Sequence, residues 1–589
     1  MLFIIWVETL KSAQRLMERI YIFGLALKVD PRTALEGLMW RLRGKVVRSR
    51  NMVQKMAARH PRYYPFWIKC VEAVSCIPLG EARNGGILWP ITVLILIDQE
   101  VDQGKIKFSI ASVQGAFGAN ARFEVICSPK MHGTMAGCRT LRQALHQTGS
   151  EAGYIVPLFA GDELARNAER ILQQAIVLSD AADVIYWDED RLDSKGERAE
   201  PWMKPDWDAL QFATQDYVSG AAMIRTDCAK ALMAHPLCHG EVQLDILFAV
   251  AVLAKGSGRP WHVEHVLIHR RGPDARQDGD RAINILKILG EPAEIGAVIG
   301  HGVTIVRWPF PKQPPSVSIL VPIRDHVDLL KTCMAGLQMI DYPGDIEIIV
   351  IDNDSEEEST KIYLKMLASA GVTILPQSGE FNYARINNRA VEQARGDFIC
   401  LLNNDVEMLD GDWLGLMMRH AVRSDIAAVG AKLLYPDRTI QHAGVAIGLG
   451  GAAGHLHRHV ANDDWGYFGQ PHISRHVTAV TAACLLVEKA KFLAVNGLDA
   501  ENFPVAFNDI DLCLKFVRHG WHNVYCPEAI LIHHESKSRG SDMAPENYER
   551  FSKELANLRR LWGTEIYKDP YLNGRFSRRS EGLYLELNP

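Results

Sequence analysis

The stretch SVSILVPIRD, at residues 316–325, decides the fold of the second half of this chain. Its nearly continuous apolar run is typical of a parallel strand buried on both faces of a sheet. Similar strands are predicted at 346–351, 372–375 and 398–402, with helices at 359–369 and 384–394 between them. Alternating strands and helices predict an α/β domain with a mostly parallel central sheet and helices on both faces.

The same pattern also occurs earlier in the chain. A long apolar run at 87–97 precedes shorter runs at 123–126, 154–158 and 184–187, with a helical stretch at 164–178. A segment rich in proline separates the two halves, and such spacing indicates a domain boundary. These prolines are Pro309, Pro311, Pro314 and Pro315. We therefore predict two tandem α/β units.

Composition narrows the function classes. Of 589 residues, 48% are hydrophobic and 23% charged, which excludes a disordered or low-complexity chain. The formal net charge is −5, so we expect no nucleic-acid partner. Eleven cysteines without C-x-x-C spacing predict reduced, intracellular thiols. We expect no signal peptide and no membrane-spanning helix, because no run of 18 apolar residues occurs.

The first 60 residues differ from the rest of the chain. They hold twelve Lys or Arg and four Asp or Glu, and apolar side chains recur there at helical spacing. The segment is either a helical hairpin lying on an anionic membrane surface or a solvated helical extension that packs on the next domain.

A polar cluster follows each of three predicted strands in the second half: Asp325, residues 352–355 and residues 403–405. Ligands of open α/β sheets bind at the carboxyl ends of strands. The chain has no Walker A pattern and no G-x-G-x-x-G after a strand, so a glycine-rich phosphate loop is excluded. Asp405, with Glu407 two residues later, is placed to hold a divalent cation instead. The alternative is that residues 403–405 form an ordinary turn.

Two further candidates lie nearer the end of the chain. Asp509 is predicted at the N-terminus of a helix, where it is either an ionised general base or, like Asn508, a helix cap. His533 follows a predicted strand and could complete a cation site, although a lone histidine more often has no such role. His455, His457 and His459 alternate as in a strand. They either bind a metal or belong to a glycine-rich surface loop.

Several long motifs, in this order, resemble inverting glycosyltransferases of family two with the GT-A fold. The resemblance is closest to rhamnosyltransferase-like bacterial members that assemble polysaccharides. The matching stretches cover nearly all of residues 316–589 and read SVSILVPIRD, IEIIVIDNDS, FNYARINNRAV, GDFICLLNNDVE, IQHAGVAIGLGGAAGH, VTAVTAACLLV, FNDIDLCLK and HHESKSRG.

The resemblance implies roles for particular residues. It implies that Asp509 is the catalytic base and that Asp405 and His533 bind the metal, Mn²⁺ or Mg²⁺. The first position of the family's D-x-D element is Asn403 here, which leaves Asp405 as its only carboxylate. The residues implied to bind the nucleotide-sugar donor are Pro322, Asp325, Asp352, Asn382, Arg385, Asn388 and Asn404.

The resemblance further implies a metal-dependent, inverting hexosyltransferase that uses a UDP-, dTDP- or GDP-sugar and a glycan or lipid-linked acceptor in cell-surface polysaccharide synthesis. We expect it in the cytoplasm, either free or peripheral at the inner face of the cytoplasmic membrane through residues 1–60. The alternative is a catalytically inactive sugar-binding or scaffold protein that keeps the fold. A nucleotidyltransferase is disfavoured, because no Gly- and Lys/Arg-rich triphosphate loop follows the strand at 316–321.

The first α/β unit resembles the same family more weakly, with Asp162 and Glu163 where the metal element belongs. We predict a degenerate copy that binds acceptor or acts structurally, with a second divergent active site as the alternative. The predicted domains are a basic helical extension (1–80), the degenerate GT-A-like domain (86–300), a Pro-rich linker (301–315), the catalytic GT-A domain (316–541) and a helical tail (542–589).

Overall fold

A computed structural model describes residues 2–72, 88–98, 103–128, 131, 138–147, 152–239, 243–254, 258–271, 279–290, 294–300, 302–534, 544–579 and 581–587. The chain divides into two compact units. Unit 1 comprises residues 1–207, 217–275 and 573–589, and unit 2 comprises residues 208–216 and 276–572. Within the described ranges, no helix is both long and apolar enough to cross a membrane.

Unit 1 begins with four helices, which lie in the predicted N-terminal extension at residues 1–80. The helices of unit 1 are α1 (Leu2–Val29), α2 (Pro31–Leu42), α3 (Val46–Ala57), α4 (Tyr63–Trp67), α5 (Gln103–Phe117), α6 (Leu141–Gln147), α7 (Ala168–Leu178), α9 (Thr226–Leu232) and α10 (Leu244–Leu253). In unit 2 they are α8 (Ala209–Thr214), α11 (Gly279–Leu289), α12 (Val327–Leu337), α13 (Glu358–Ser369), α14 (Tyr383–Gln393), α15 (Trp413–Ala421), α16 (Lys489–Ala494), α17 (Asn508–Arg518) and α18 (Pro545–Trp562).

The sheet of unit 1 has the order β3-β2-β1-β4-β8-β6-β9-β5, with β7 paired to β6. Its strands are β1 (Ile91–Ile97), β2 (Arg122–Cys127), β3 (Arg139–Thr140), β4 (Tyr154–Phe159), β5 (Glu163–Leu164), β6 (Val184–Leu192), β7 (Arg198–Trp202), β8 (Ala222–Arg225) and β9 (Trp261–Arg270). The four strands β3, β2, β1 and β4 run parallel, and antiparallel pairings attach the rest of the sheet to them.

Unit 2 contains a hairpin, a large sheet and a second small sheet. The hairpin is β10 (Glu294–Ile299) with β11 (Val303–Arg307), and the small sheet is β19 (Val445–Ile447) with β20 (Ala453–His455). The large sheet has the order β14-β13-β12-β15-β22-β17-β23-β16. Its strands, with β18 and β21 attached at the side, are β12 (Val317–Ile323), β13 (Ile346–Asp352), β14 (Thr373–Pro376), β15 (Phe398–Leu402), β16 (Val406–Met408), β17 (Ile426–Leu434), β18 (Ile440–His442), β21 (Arg475–Val477), β22 (Cys484–Glu488) and β23 (His522–His533).

The central strand β12 explains why the opening motif is so apolar. All seven of its residues are buried, and successive side chains alternate between the two faces of the sheet. Val317, Ile319 and Val321 join one hydrophobic core, whereas Leu320 joins the core on the opposite face. Helices cover both faces, so apolar side chains fill most of these positions. The buried Ser318 is polar, and its hydroxyl donates to Glu347 Oε2 at 2.6 Å.

The predicted α/β class and the parallel strands after residue 316 are confirmed. Residues 303–307 were expected in a linker but form strand β11. The wider domain boundaries stay a prediction. Of the 11 cysteines, Cys127 and Cys138 are joined by a disulfide, so the expectation of uniformly reduced thiols is wrong for this pair.

Candidate functional site

A cleft of about 850 Å³ opens in unit 2 where β12 and β15 end. Its walls come from the ends of these strands, the turn before β22, the first turn of α17 and the end of β23. Asp405, His533 and Asp509 all line this one cleft. The sheet order therefore brings these three residues to a single cavity, although Asp405 and His533 lie more than a hundred positions apart in the sequence.

Asp405 ends the tight turn that joins β15 to β16. The residue is 5% exposed, and its Oδ1 lies 3.1 Å from Nε2 of His533. Burial acts to raise the pKa of the Asp405 carboxyl, but the neighbouring His533 lowers it below its usual value. Apart from His533, this buried Oδ1 has no hydrogen-bond partner among the described residues. A buried carboxylate oxygen of this kind is suited to a cation.

Glu407 does not contribute to this arrangement. Its carboxylate Oε2 lies 2.9 Å from Nε2 of His534, and Glu407 is not among the residues that line the cleft. The sequence interpretation that paired Glu407 with Asp405 at a cation is therefore wrong for this conformation. The two interpretations of residues 403–405, an ordinary turn and a cation site, are compatible, because the turn itself directs Asp405 into the cleft.

Gln441 fixes the orientation of the His533 ring. The Gln441 Oε1 lies 2.6 Å from His533 Nδ1, while the Gln441 amide nitrogen donates to the His533 carbonyl at 3.3 Å. Because the amide nitrogen is used on the carbonyl, Oε1 is the atom that faces Nδ1, and Nδ1 must donate. Nε2 therefore faces Asp405 and lies 3.4 Å from the Asn403 amide. At this distance Nε2 and the Asp405 carboxylate share either a proton or a cation, and both groups are of the kind that a divalent cation accepts as ligands.

Asp509 lies in the first turn of α17, as the sequence pattern predicts. The helix begins after Phe507, whose φ of 60° is unusual for a bulky residue, so neither Asn508 nor Asp509 is the cap. The Asp509 carboxylate accepts hydrogen bonds from the backbone N–H groups of Ala482, at 3.1 Å, and Ile510, at 2.9 Å. Burial raises the pKa of Asp509 in spite of these hydrogen bonds. A carboxylate with a raised pKa is a better proton acceptor, which suits a general base.

Of the residues expected to bind the donor, Pro322 and Asn404 line the cleft. Asp325, Asp352 and Arg385 are not among its lining residues. Asp325 Oδ1 accepts from two backbone N–H groups, of Glu356 and Glu357, each at 2.8 Å. This fixes the loop that follows β13. Asp352 accepts from the backbone N–H of Ser355 at 3.1 Å in the same loop.

Asn382 and Asn388 are also absent from the cleft lining, and their side chains form hydrogen bonds with backbone groups instead. Asn382 caps α14 by accepting from the N–H of Arg385 at 2.8 Å. Asn388 donates to the carbonyl of Leu498 at 2.7 Å and accepts from the N–H of the same residue at 3.0 Å. Whether any of these residues contacts a nucleotide stays a prediction.

The histidine cluster at 455–459 does not form one site. Strand β20 ends at His455, and His457 and His459 have positive φ values of 59° and 61°, so the alternation is not a strand. His455 lines the cleft, with its Nδ1 3.0 Å from Nδ1 of the buried His442. His457 is buried against Gln470 at 3.1 Å instead.

Some residues of the cleft carried no recognisable signal in the sequence. Gln441 lies inside a quoted motif, but its role depends on a partner 92 positions away. Phe507 and Phe551 line the wall beside Asp509, with ring centroids 5.4 Å apart. Only their distances in the fold connect them with the site.

In unit 1, Asp206, His262 and Glu264 lie close enough to hold a metal ion. The two ring nitrogens of His262, however, each lie 3.1 Å from a carboxylate, of Asp206 and Asp188. Burial acts to lower the pKa of His262, but these carboxylates raise it to about 9. Each ring nitrogen of His262 thus already has a carboxylate partner within the protein.

Residues 318–459 match the family model described as Glycosyl transferase family 2. The chain is 34% identical over 440 residues to the uncharacterized protein y4gI of Sinorhizobium fredii, covering 72% of this chain and 48% of that protein. It is 33% identical over 407 residues to the O-antigen biosynthesis protein RfbC of Myxococcus xanthus, covering 66% and 31%. The chain thus spans half or less of the length of these two relatives.

A shorter similarity concerns an N-acetylglucosaminyl-diphospho-decaprenol L-rhamnosyltransferase of Mycobacterium tuberculosis. It is 24% identical over 217 residues, which are 34% of this chain and 70% of that enzyme. Among solved structures, a mannosyltransferase of Pyrobaculum calidifontis in complex with GDP-Man and Mn²⁺ covers 43% of this chain and 66% of its own, with a TM-score of 0.32 and 15% identity.

Proposed function

Because residues 318–459 form a Glycosyl transferase family 2 domain, we propose that this chain is an inverting glycosyltransferase that uses a nucleotide-diphosphate sugar. The observation that carries the proposal is the single cleft that holds Asp405, His533 and Asp509. Such a transfer needs a proton acceptor on one side of the sugar carbon and charge compensation for the departing diphosphate on the other. The two carboxylates and the histidine supply these two kinds of group.

Asp509 acts as the general base in this proposal. The acceptor hydroxyl loses its proton to Asp509 as its oxygen attacks the anomeric carbon, and the bond from that carbon to the diphosphate oxygen breaks. Attack from the face opposite the leaving group inverts the configuration, through an oxocarbenium-like transition state. The hydrogen bonds from Ala482 and Ile510 hold the carboxylate in place for the proton.

Asp405 and His533 would hold the divalent cation, Mn²⁺ or Mg²⁺, with Asn403 beside them. When bound, such a cation neutralises charge that develops on the leaving diphosphate. Gln441 keeps the His533 lone pair directed toward this position, and the turn at residues 403–405 keeps the Asp405 carboxylate inside the cleft.

The proposed product is a cell-surface polysaccharide or lipopolysaccharide intermediate, with a glycan or a lipid-linked sugar as the acceptor. Two of the similar proteins support this class, since their names concern O-antigen biosynthesis and rhamnosyl transfer to a decaprenol-linked sugar. The acceptor side of the cleft has an aromatic wall, Phe507 and Phe551, against which a pyranose ring can pack.

A donor panel tests the proposal. The full chain is titrated with UDP-, dTDP- and GDP-sugars in the presence of Mn²⁺, and the heat of binding is measured by isothermal titration calorimetry. We expect one class of donor to bind, and the Asp405→Ala variant to lose cation-dependent binding. The matched control is Glu407→Gln, because Glu407 lies on the neighbouring strand but outside the cleft lining. No binding across the whole panel would favour a non-catalytic scaffold.

We also propose that the N-terminal helices contact an anionic membrane surface. Leu35, Leu38, Met39 and Leu42 repeat at helical spacing along α2, yet they are 38% to 74% exposed. Basic residues surround the end of this stripe and the turn into α3: Arg41, Arg43, Lys45 and Arg48. Apolar side chains flanked by cations fit the boundary between headgroups and acyl chains of an anionic bilayer.

Vesicle flotation tests this contact. The full chain should float with vesicles that contain about one third phosphatidylserine and remain unbound with phosphatidylcholine alone. Replacing Leu38 and Leu42 by Ser should weaken flotation, while Ser at the exposed Ile362 and Met366 of α13 serves as the control. Equal flotation of both variants would contradict the membrane contact and favour the alternative that the segment is a solvated helical extension.

A further inference from the structure

Along their main paths, the sheets of the two units have the same strand order and the same sense of pairing; strand β21, beside β23, occurs only in the described part of unit 2. Reading along each sheet, β3-β2-β1-β4-β8-β6-β9-β5 corresponds to β14-β13-β12-β15-β22-β17-β23-β16. Each neighbouring pair is parallel or antiparallel in both sheets alike. The side strands β7 and β18 also pair alike, each antiparallel to its neighbour. Positions in unit 1 can therefore be matched to the site of unit 2 by strand register.

The register assigns a counterpart to each half of the proposed cation site. Asp405 directly precedes strand β16, whose first residue faces His533. Asp162 directly precedes strand β5, whose first residue faces His269. Asp162 therefore corresponds to Asp405, and His269 corresponds to His533. The Nδ1 of His269 lies 2.6 Å from Asp190 Oδ1. The next residue of β9 is Arg270, where β23 is followed by His534.

The side chain of Arg270 lies on the Asp162 carboxylate. Its Nη1 is 3.2 Å from Asp162 Oδ2, and its Nε is 3.0 Å from Glu189 Oε1. The other oxygen of Asp162 accepts from the backbone N–H of Arg271 at 3.0 Å. Both oxygens of Asp162 are thus used by cationic or backbone N–H groups of the protein, whereas Oδ1 of Asp405 has only His533 as a polar partner among the described residues.

The surrounding charges balance without any added ion. Asp162, Glu189, Arg270 and Lys204 are all buried, and Lys204 Nζ lies 2.8 Å from Glu189. Two carboxylates face two cationic side chains, which leaves no net charge for a cation or a diphosphate. By register, Glu189 corresponds to the apolar Leu434 of unit 2, so the acidic partner of Arg270 has no counterpart there.

The base position does not distinguish the units in the same way. Asp245 is the second residue of α10, as Asp509 is the second residue of α17. The difference between the two units lies at the cation position.

We propose that unit 1 is a copy of the transferase fold in which Arg270 permanently takes the place of the cation, so that the chain binds one divalent cation and has one active site. This rests on the proposed function of unit 2 for the single remaining site. It excludes the second divergent active site that the sequence left open.

The first experiment counts cations. Calorimetric titration of the full chain with Mn²⁺ should give one equivalent for the parent and for Asp162→Ala, and none for Asp405→Ala. Two equivalents in the parent, or loss of the cation in Asp162→Ala alone, would overturn the proposal. No Mn²⁺ binding in the parent would contradict the proposed function of unit 2 and leave the second experiment to decide on Arg270.

The second experiment removes the side chain that replaces the cation. In the Asp405→Ala background, Arg270→Gln should lower the Tm by on the order of 10 °C, because two buried carboxylates lose their partner. Millimolar Mn²⁺ should then recover part of this loss, while the Asp405→Ala parent should not respond. An unchanged Tm in Arg270→Gln, or an equal response of the parent to Mn²⁺, contradicts the proposal. If Arg270→Gln does not fold, the double variant Asp162→Asn with Arg270→Gln removes both charges and should fold, with no response to Mn²⁺.

Discussion

Replacing Gln441 by Leu should weaken cation binding without removing any proposed ligand. The substitution keeps side-chain volume nearly constant and removes the acceptor 2.6 Å from His533 Nδ1. His533 then loses the partner that places its lone pair on Nε2, and its ring is free to rotate or change tautomer. Partners that orient a metal-binding histidine are typically worth 10- to 100-fold in metal affinity. This corresponds to about 1.4 to 2.7 kcal/mol of binding free energy.

The assay is Mn²⁺ affinity by calorimetry, supported by the electron paramagnetic resonance signal of free Mn²⁺. The chain offers a matched control in Gln470→Leu, because Gln470 accepts from a second buried histidine, His457, at 3.1 Å outside the cleft lining. We expect Gln470→Leu to keep the parent affinity and Gln441→Leu to lose 10- to 100-fold. Gln441→Glu, which keeps an acceptor toward Nδ1, should restore most of it. Parent-like affinity in Gln441→Leu would refute the orientation of His533 inferred from the two hydrogen bonds.

Two further predictions concern the carboxylates. Asp509 must be ionised to act as the base, and its pKa is raised, so kcat/KM should fall as the pH drops through that raised pKa. The acidic limb of the pH–rate profile should therefore lie above the pH range in which an ordinary Asp titrates. A limb at or below that range would contradict the assignment of Asp509 as the base. Glu407→Gln should leave kcat and Mn²⁺ affinity within about twofold of the parent, because its carboxylate bonds His534 away from the cleft; a loss comparable to that of Asp405→Ala would return Glu407 to the cation site.

The sequence predicted the parallel part of the sheet because its strands are buried on both faces. Most side chains in such strands are apolar, so β12 and β15 appear as nearly continuous apolar runs, and β13 as a run interrupted by Glu347. The strands β17 and β22 are also apolar, but nothing local in their sequence states that β22 pairs antiparallel with β15 and β17, or that β17 pairs parallel with β23. The unusual pairing of parallel and antiparallel senses therefore emerged only from the structure.

The site was predictable to the extent that its residues follow strands or begin a helix. Asp405 and Asp509 satisfy that rule, and both line the cleft. Glu407 fails because the position of its side chain depends on a hydrogen bond with His534, 127 positions away. Arg270 could not be recognised as a replacement for a cation, because its equivalence with the unit 2 site exists only in the register of two sheets.

The central claim is that Asp509 removes a proton at the same cleft in which Asp405 and His533 hold the cation. The most direct measurement compares Asp509→Asn with the parent in both transfer rate and donor affinity, using the donor identified by the panel. We predict that kcat falls by roughly 10²- to 10⁴-fold while the Kd for the donor with Mn²⁺ stays within a few fold. Parent-like turnover in Asp509→Asn, or a loss confined to donor affinity, would contradict the account.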